Sequence, residues 1–388
     1  MMQPYNVFIR QLGLLGLASW LVAAAQAQTM QERLRAELDQ LPHPQHVNEC
    51  QVAAALPYVN QGKTLICWSF ATTSFLESEM ARLKLPSVRL SPIYSAYCQY
   101  LEKARRFVQA KGESRCTPGD TFWGVFEACA QYGAVPAAAY EKPLPGGVLD
   151  QTRLYAELGT YLQEVKLRGQ WDETAILARV RKILNRHLGE PPRTFVWQGK
   201  NYTPKSFLAE VVRLPWPEYV GVASFESAPF NTFTELKVPD NWRHTTNFFN
   251  VPLPVFYEAF KGALRGGFTV AVEMDTSEPS YDATVRYCFV PSFDFPAREI
   301  TQAAREARLV NGATSDDHAI HIIGWTNAGG EDWFLAKDSG KEAWRNGNQG
   351  VVFVQGAYVK LKVLAFVAHR DGMPPVKALL PPLAAASH

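Results

Sequence analysis

Helical periodicity and strand-like patterning occupy different halves of this chain, and that segregation limits the fold more than any other feature. From Trp68 the run WSFATTSFLESEMARLKL places Phe70, Ser74, Phe75, Ser78 and Ala81 on neighbouring faces of a helix that ends before Pro86. Pro92 to Val108 predicts a second helix, and Thr121 to Tyr132 a third, closed by Gly133 as a C-cap. Further on, Phe268 to Met274, His318 to Trp325, Trp333 to Lys337 and Gly350 to Val354 are rich in β-branched and aromatic residues and read as strands. Helices first and strands later predict an α+β fold.

The flanking and intervening segments read differently. Met30, Leu34, Leu38 and Leu41 have helical spacing, so Thr29 to Leu41 predicts a short helix stopped by PHPQH. Asp150 to His187 predicts one or two charged amphipathic helices, followed by prolines 191, 192, 204, 215, 217 and 229 among scattered aromatics. That composition suits an insertion packed on the main frame. Pro374 to His388 is rich in Ala, Pro and Leu and reads as an extended tail.

With 388 residues, 47% of them hydrophobic and 20% charged, the chain has the composition of a globular protein, either one large fold with insertions or two domains. Lys plus Arg minus Asp plus Glu is 39 − 37 = +2, which offers nucleic acid no general attraction, so none is expected as a partner. Arg10, the apolar run LGLLGLASWLVAAA and Ala25-Gln26-Ala27 form a signal-peptide pattern, predicting cleavage after Ala27 and export to a periplasmic or extracellular space. The competing reading is an uncleaved anchor, for which the run is short; no stable membrane span is expected after cleavage. Export lets disulfides form, but six cysteines in this length are too few for a disulfide scaffold. Cys98 with Cys116 is the pairing expected here, although spacing alone does not fix connectivity.

Cys67 falls at the start of the first main helix, where oriented N–H groups stabilise a thiolate. A lone cysteine is more often a small buried hydrophobe, so its context decides. That context, Asn60-Gln61-Gly62-Lys63-Thr64-Leu65-Ile66-Cys67-Trp68-Ser69-Phe70-Ala71, resembles the active-site segment of papain-like cysteine peptidases, with the Gln six residues before the Cys. The resemblance implies that Cys67 is the nucleophile and that Gln61 helps hold the oxyanion. Thr64, Leu65 and Ile66 depart from the family's loop, which carries a second cysteine and small residues.

Asp317-His318-Ala319-Ile320-His321-Ile322-Ile323-Gly324-Trp325 is similar to the family's histidine strand. Alternation puts His318 and His321 on opposite faces, so one site cannot use both, and the match selects His318 as the base. His-x-x-His has no companion ligands at zinc-like spacing, and no metal is expected. Trp333 to Gly340 resembles the strand that delivers the third catalytic group, with Asp338 in place of the usual Asn and Gly340 in place of a Trp. Asp338 is therefore the expected orienting residue, and a plain Asp-Ser-Gly turn is the competing reading.

Leu90 to Tyr94, Gly119 to Trp123, Gln131 to Pro136, Tyr202 to Phe207 and Asn250 to Ala271 resemble the bleomycin hydrolase and aminopeptidase C branch over roughly residues 55 to 370. The resemblance implies a papain-like two-lobe fold. Its parts are a signal at 1–27, an N-terminal segment at 28–54, a helical lobe at 55–142, an insertion at 143–250, a β-rich lobe at 251–372 and a tail at 373–388. It also implies a peptide or protein substrate, no cofactor, and a subsite drawing on Gly119, Asp120 and Asp317. The activity implied is a cysteine peptidase, most simply an aminopeptidase, because a C-terminal arm blocks one side of the cleft in that branch. Whether cleavage is terminal or internal stays open, as does the oligomeric state. Two other readings also stay open: a papain-fold binding protein weakened by Asp338, Gly340 and the bulky 64–66 loop, and an acyl transferase using the same thiolate.

Overall fold

A computed structural model describes residues 29–141, 149–282 and 285–382. The signal pattern at 1–27 and the last residues of the tail lie outside them. The N-terminal helix α1 covers 29–40, close to its expected span. The helical lobe holds α2 (Cys67–Arg82), α3 (Pro92–Gln109) and α4 (Trp123–Tyr132), each near its predicted position. α2 is buried from Trp68 to Met80 on nearly every face, including Ser69, Thr72, Thr73, Glu77 and Glu79, as a helix at the centre of a fold must be. Its polar groups are satisfied locally: Ser69 donates to the Pro92 carbonyl at 2.8 Å and Glu77 accepts the Leu90 N–H at 2.9 Å. The helix stops at Arg82, a turn before Pro86, because Lys84 turns left-handed at φ 56°. α3 begins with Pro92 at its first position and Ser91 capping the Tyr94 N–H.

The β-rich lobe is built on an 11-stranded sheet among the described residues. In chain order its strands are β1 (Gln51–Val52), β2 (Tyr219–Ala223), β3 (Thr232–Thr234), β4 (Phe248–Asn250), β5 (Val270–Met274) and β6 (Tyr281–Asp282). They continue as β7 (Tyr287–Cys288), β8 (His318–Ala328), β9 (Glu331–Lys337), β10 (Val351–Gln355) and β11 (Val363–His369). The spatial order is β3-β4-β2-β11-β5-β8-β9-β10-β7-β6, with β1 added on β8. One face of β5 and β8, through Ala271 and Ala319, joins the core under α2; Val272, Ile320 and Ile322 on the other face join a second core under the helix at Leu253–Arg265. This is the expected α+β arrangement, with Cys67 and His318 facing each other from different lobes.

The segment expected as an insertion divides in two. Its first part forms two helices, Thr152–Arg168 and Glu173–Leu188, whose Leu154, Leu158, Leu162, Val180 and Ile183 are buried in the helical core, and then a two-stranded hairpin. Its last part supplies β2, β3 and β4 to the central sheet. The tail is not extended throughout: Pro374–Lys377 is a helical turn whose Val376 is buried in the second core, started by a proline that suits that position. Among the described residues no helix is long and apolar enough to cross a membrane.

The expected Cys98–Cys116 disulfide is absent; all six cysteines are free thiols. Cys98 lies beside Cys129 of α4, whereas Cys116 lies beside Lys103. Positions 98 and 103 point about 140° apart around a helix, so Cys116 approaches a different side of α3.

Asp120 is likewise not an open subsite residue. It is buried, and its carboxylate accepts from Trp242 Nε1 at 2.9 Å, Arg243 at 2.9 Å and the Thr121 N–H at 3.0 Å, with Lys103 Nζ at 3.5 Å. Lys103 also donates to the Thr117 and Gly119 carbonyls, and Trp68 Nε1 donates to Pro118, so the 117–120 loop is fastened beside the start of α2. Asp120→Ala leaves the Lys103 ammonium buried without its nearest counter-charge, with Asp240 farther off. We expect a loss of about 3–5 kcal/mol of stability by urea denaturation; a loss below about 1 kcal/mol, the range of exposed pairs, would show that the pair is solvated.

Candidate active site

Cys67 is the first residue of α2, so its N–H belongs to the unpaired donors of a helix start and the positive end of the helix dipole lies behind its thiol. His318 opens β8, and its ring lies within hydrogen-bonding reach of Cys67. On the ring's other side, His318 Nε2 bonds Asp338 Oδ1 at 2.8 Å. The sheet makes this contact: β8 and β9 pair antiparallel with His321 opposite Lys337, so His318 and Asp338 emerge side by side at one end.

Burial opposes a charged His318 ring, but the Asp338 charge and hydrogen bond, with Cys67 beyond, outweigh it and raise the ring well above the ordinary 6.5. Asp338 is also buried, which raises it, yet His318, Tyr281 and the Gly340 N–H together hold its carboxyl below the ordinary 3.8. The Gly340 N–H donates to Oδ1 at 2.7 Å and the Tyr281 hydroxyl to Oδ2. The signs set a window. His318 contributes stability fully below 6.5 and loses it as pH rises through its raised value. Asp338 contributes above 3.8 and loses it as pH falls through its lowered one. Between those limits the imidazolium–carboxylate pair is complete, so Asp338 is more than a turn residue.

Gln61 is buried at the edge of the same site. Its Nε2 donates to the Thr64 carbonyl at 2.9 Å, its Oε1 accepts the Ser339 hydroxyl at 2.7 Å, and its N–H donates to the Ser339 carbonyl at 2.8 Å. Ser339 therefore locks the amide orientation, and one Nε2 proton is left over for another acceptor. The loop between Gln61 and Cys67, which lacks the family's cysteine, is held instead by the segment ahead of Thr152. Lys63 N–H donates to Leu149 O at 2.6 Å, Gln151 N–H to Lys63 O at 3.1 Å, and Leu65 N–H to the Tyr155 hydroxyl at 3.0 Å. Gly62 is required here: its φ is 62°, and a Cβ would stand 2.3 Å from Leu149 O.

The chain is 24% identical over 363 residues to aminopeptidase C of Listeria monocytogenes, covering 80% of this chain and 79% of that protein. It is 23% identical over 335 residues to aminopeptidase W of Lactobacillus delbrueckii subsp. lactis, covering 74% and 76%. This chain is similar to the aminopeptidases C and W. Its fold is that of PepW from Lactobacillus rhamnosis, at a TM-score of 0.66 and 16% identity over 98% of this chain and 95% of that one. No family profile matches. The likeness in fold to PepW thus extends across nearly the whole chain.

The other predicted residues fall outside the reacting group. Gly119 lies against Asp240, whose carboxylate oxygens stand 2.2 and 2.4 Å from where a Cβ would be. Asp317 is exposed and ties two turns together, accepting from the Thr276 N–H at 2.8 Å and the Ser315 hydroxyl at 3.1 Å. His321 points to the other face of β8, bonds Ser74 of α2 at 3.0 Å, and burial followed by the Lys337 charge keeps its ring well below 6.5. Tyr281 is the residue that the sequence patterns did not indicate. It comes from a two-residue strand, bonds Asp338, and meets the His318 ring edge-on at 6.4 Å.

Asp338→Ala removes the charge that holds the His318 proton. The alkaline limb of kcat/KM should move to lower pH and its maximum fall about tenfold to a hundredfold. A pH–rate profile with an unmoved alkaline limb would show that Asp338 does not set the state of the ring.

Proposed function

We propose that this protein is a cysteine peptidase that removes N-terminal residues from peptides through a thioacyl intermediate on Cys67. The observation that carries the reading is the run from the start of α2 through the half-buried Cys67 and His318 to the buried Asp338. The sequence relationship to aminopeptidases C and W supports the peptide substrate.

The Cys67 sulfur attacks the carbonyl carbon next to the substrate's N-terminal residue, forming the S–C bond and moving an electron pair onto the carbonyl oxygen. The Cys67 N–H and the spare Gln61 Nε2 proton meet that oxyanion. As it collapses, the C–N bond breaks and His318 gives its proton to the leaving amine. Neutral His318 then takes a proton from water as its oxygen attacks the thioester, which releases the carboxylic acid and returns the Cys67 thiolate beside a protonated His318. Asp338 keeps Nε2 of the ring engaged throughout, aiming Nδ1 at the sulfur.

On the strength of segment 1–27 we also place the mature protein outside the cytoplasm, beginning at Gln28, which N-terminal sequencing of the exported protein would check. The activity test is turnover of fluorogenic aminoacyl amides with free and with blocked amines. Cys67→Ala should abolish turnover, and Gln61→Ala should lower kcat about 10²–10³-fold with little change in KM. Turnover that survives Cys67→Ala would overturn the reading, and cleavage of blocked peptides at equal rates would replace an aminopeptidase with an endopeptidase.

A further inference from the structure

Two carboxylates beside this machinery have no role in the reaction above. Glu273 stands in β5 in register with Ala319, the residue after His318. It is 2% exposed, and its Oε1 accepts the Phe122 N–H at 2.5 Å. Asp316 lies two positions before His318, and its Oδ2 is sealed from solvent with no hydrogen-bond partner among the described residues. A buried carboxylate oxygen without a donor is costly to keep. The two side chains lie within electrostatic reach of each other, and Glu273 lies within reach of Cys67.

The surroundings sharpen the point. Asp240, against Gly119, adds a third carboxylate and is offset by Lys103 and Arg115. The charges that act on Asp316 are Asp240 and Asp317, both anionic; the strongest on Glu273 are Asp316, Cys67 and Asp240. Burial first, and then these like charges, push both carboxyls well above the usual range. Lys103 and Arg115 act on Asp240, but none of the strongest charges acting on Glu273 or Asp316 is a cation.

We propose that Glu273 and Asp316 form a subsite for a cationic nitrogen on the acyl side of the substrate. This deepens the peptidase reading and rests on Cys67 being its nucleophile. In an acyl group bound to Cys67, the α-nitrogen is two bonds from the carbonyl carbon, so a free α-ammonium must lodge within a few ångströms of the sulfur, and Glu273 is within electrostatic reach of that sulfur. A Lys or Arg side chain on the preceding residue carries the same charge, and the substrates below separate the two sources. The subsite makes a free amine a requirement for tight binding, rather than something only tolerated.

The test compares wild type, Glu273→Gln, which keeps an acceptor for the Phe122 N–H, and Asp316→Asn, which perturbs a position just ahead of β8. Three substrates are used: a free leucyl amide, a blocked Arg-Leu amide and a blocked Leu-Leu amide. Either variant should lose about tenfold or more in kcat/KM on a cationic substrate relative to blocked Leu-Leu, chiefly through KM. Loss on the leucyl amide identifies the α-ammonium, and loss on blocked Arg-Leu identifies the basic side chain. Equal losses on all three would mean that the acids only support the fold, and no change would mean that they meet no substrate charge; either result overturns the subsite. A second readout needs no turnover: the rate of Cys67 alkylation by cationic 2-bromoethylammonium relative to neutral iodoacetamide. That ratio should fall about tenfold in the variants, and an unchanged ratio overturns the subsite. If wild type hydrolyses nothing, the peptidase reading fails by itself while this ratio still reports on Glu273 and Asp316.

Discussion

The hydrogen bond between His318 and Asp338 is the contact on which the rest of the site depends. A histidine half-buried between two lobes would ordinarily lean towards neutral, because withdrawing an imidazolium from water is unfavourable. Asp338 reverses that preference, and it does so because it is itself a well-solvated anion in the protein's own terms, with donors from His318, Gly340 and Tyr281. Each donor comes from a different piece of chain: the start of β8, the turn beyond β9, and the short strand β6. The sheet register is therefore chemistry as much as architecture, since a one-residue slip of β8 against β9 would turn His318 to the other face.

The opposite lobe solves a different problem. A thiol at the start of a buried helix is useful only if the preceding loop holds its shape, and this loop has no disulfide to fix it. Backbone hydrogen bonds to Leu149 and Lys63, together with the Tyr155 hydroxyl, supply that constraint from the segment that leads into the helix at Thr152–Arg168. The first of the two helices that look like an appendage in the sequence thus reaches the loop before the nucleophile through Tyr155. On the far side, the Lys103–Asp120 pair and the Trp68 indole secure the 117–120 loop. Two loops, each pinned by groups remote in sequence, thus flank the start of α2.

Much of this was legible before any coordinates. Cys67 at a helix start, His318 on a strand and Asp338 beyond the next strand follow from local periodicity combined with motif spacing, and the structure brings all three together. What was hidden is mostly long-range. Nothing near Tyr281 signals a partner so far along the chain as Asp338. The three strands between 219 and 250 are short and lie among prolines and turns, so their pattern is too brief to identify. Asp120, expected to line a subsite, has its carboxylate claimed by Trp242 and Arg243, which are distant in sequence. Glu273 did carry a signal, an acid inside the otherwise apolar run from Phe268 to Met274, of the kind a buried strand keeps only with a reason.

The cysteines provide the most direct examination of the whole account. Burial, assisted by neighbouring charge at Cys50, pushes the thiols of Cys50, Cys116 and Cys129 up to about 12, and those of Cys98 and Cys288 upward as well. Only Cys67 pairs a helix start with a histidine held protonated. Site-resolved alkylation of the native protein by iodoacetamide, read by mass spectrometry from mildly acid to mildly alkaline pH, measures this at every thiol at once. The account predicts rapid modification of Cys67 alone, slowed strongly by His318→Ala, with the other five left intact. Modification of Cys67 no faster than the buried thiols, or at the same rate without His318, would contradict it.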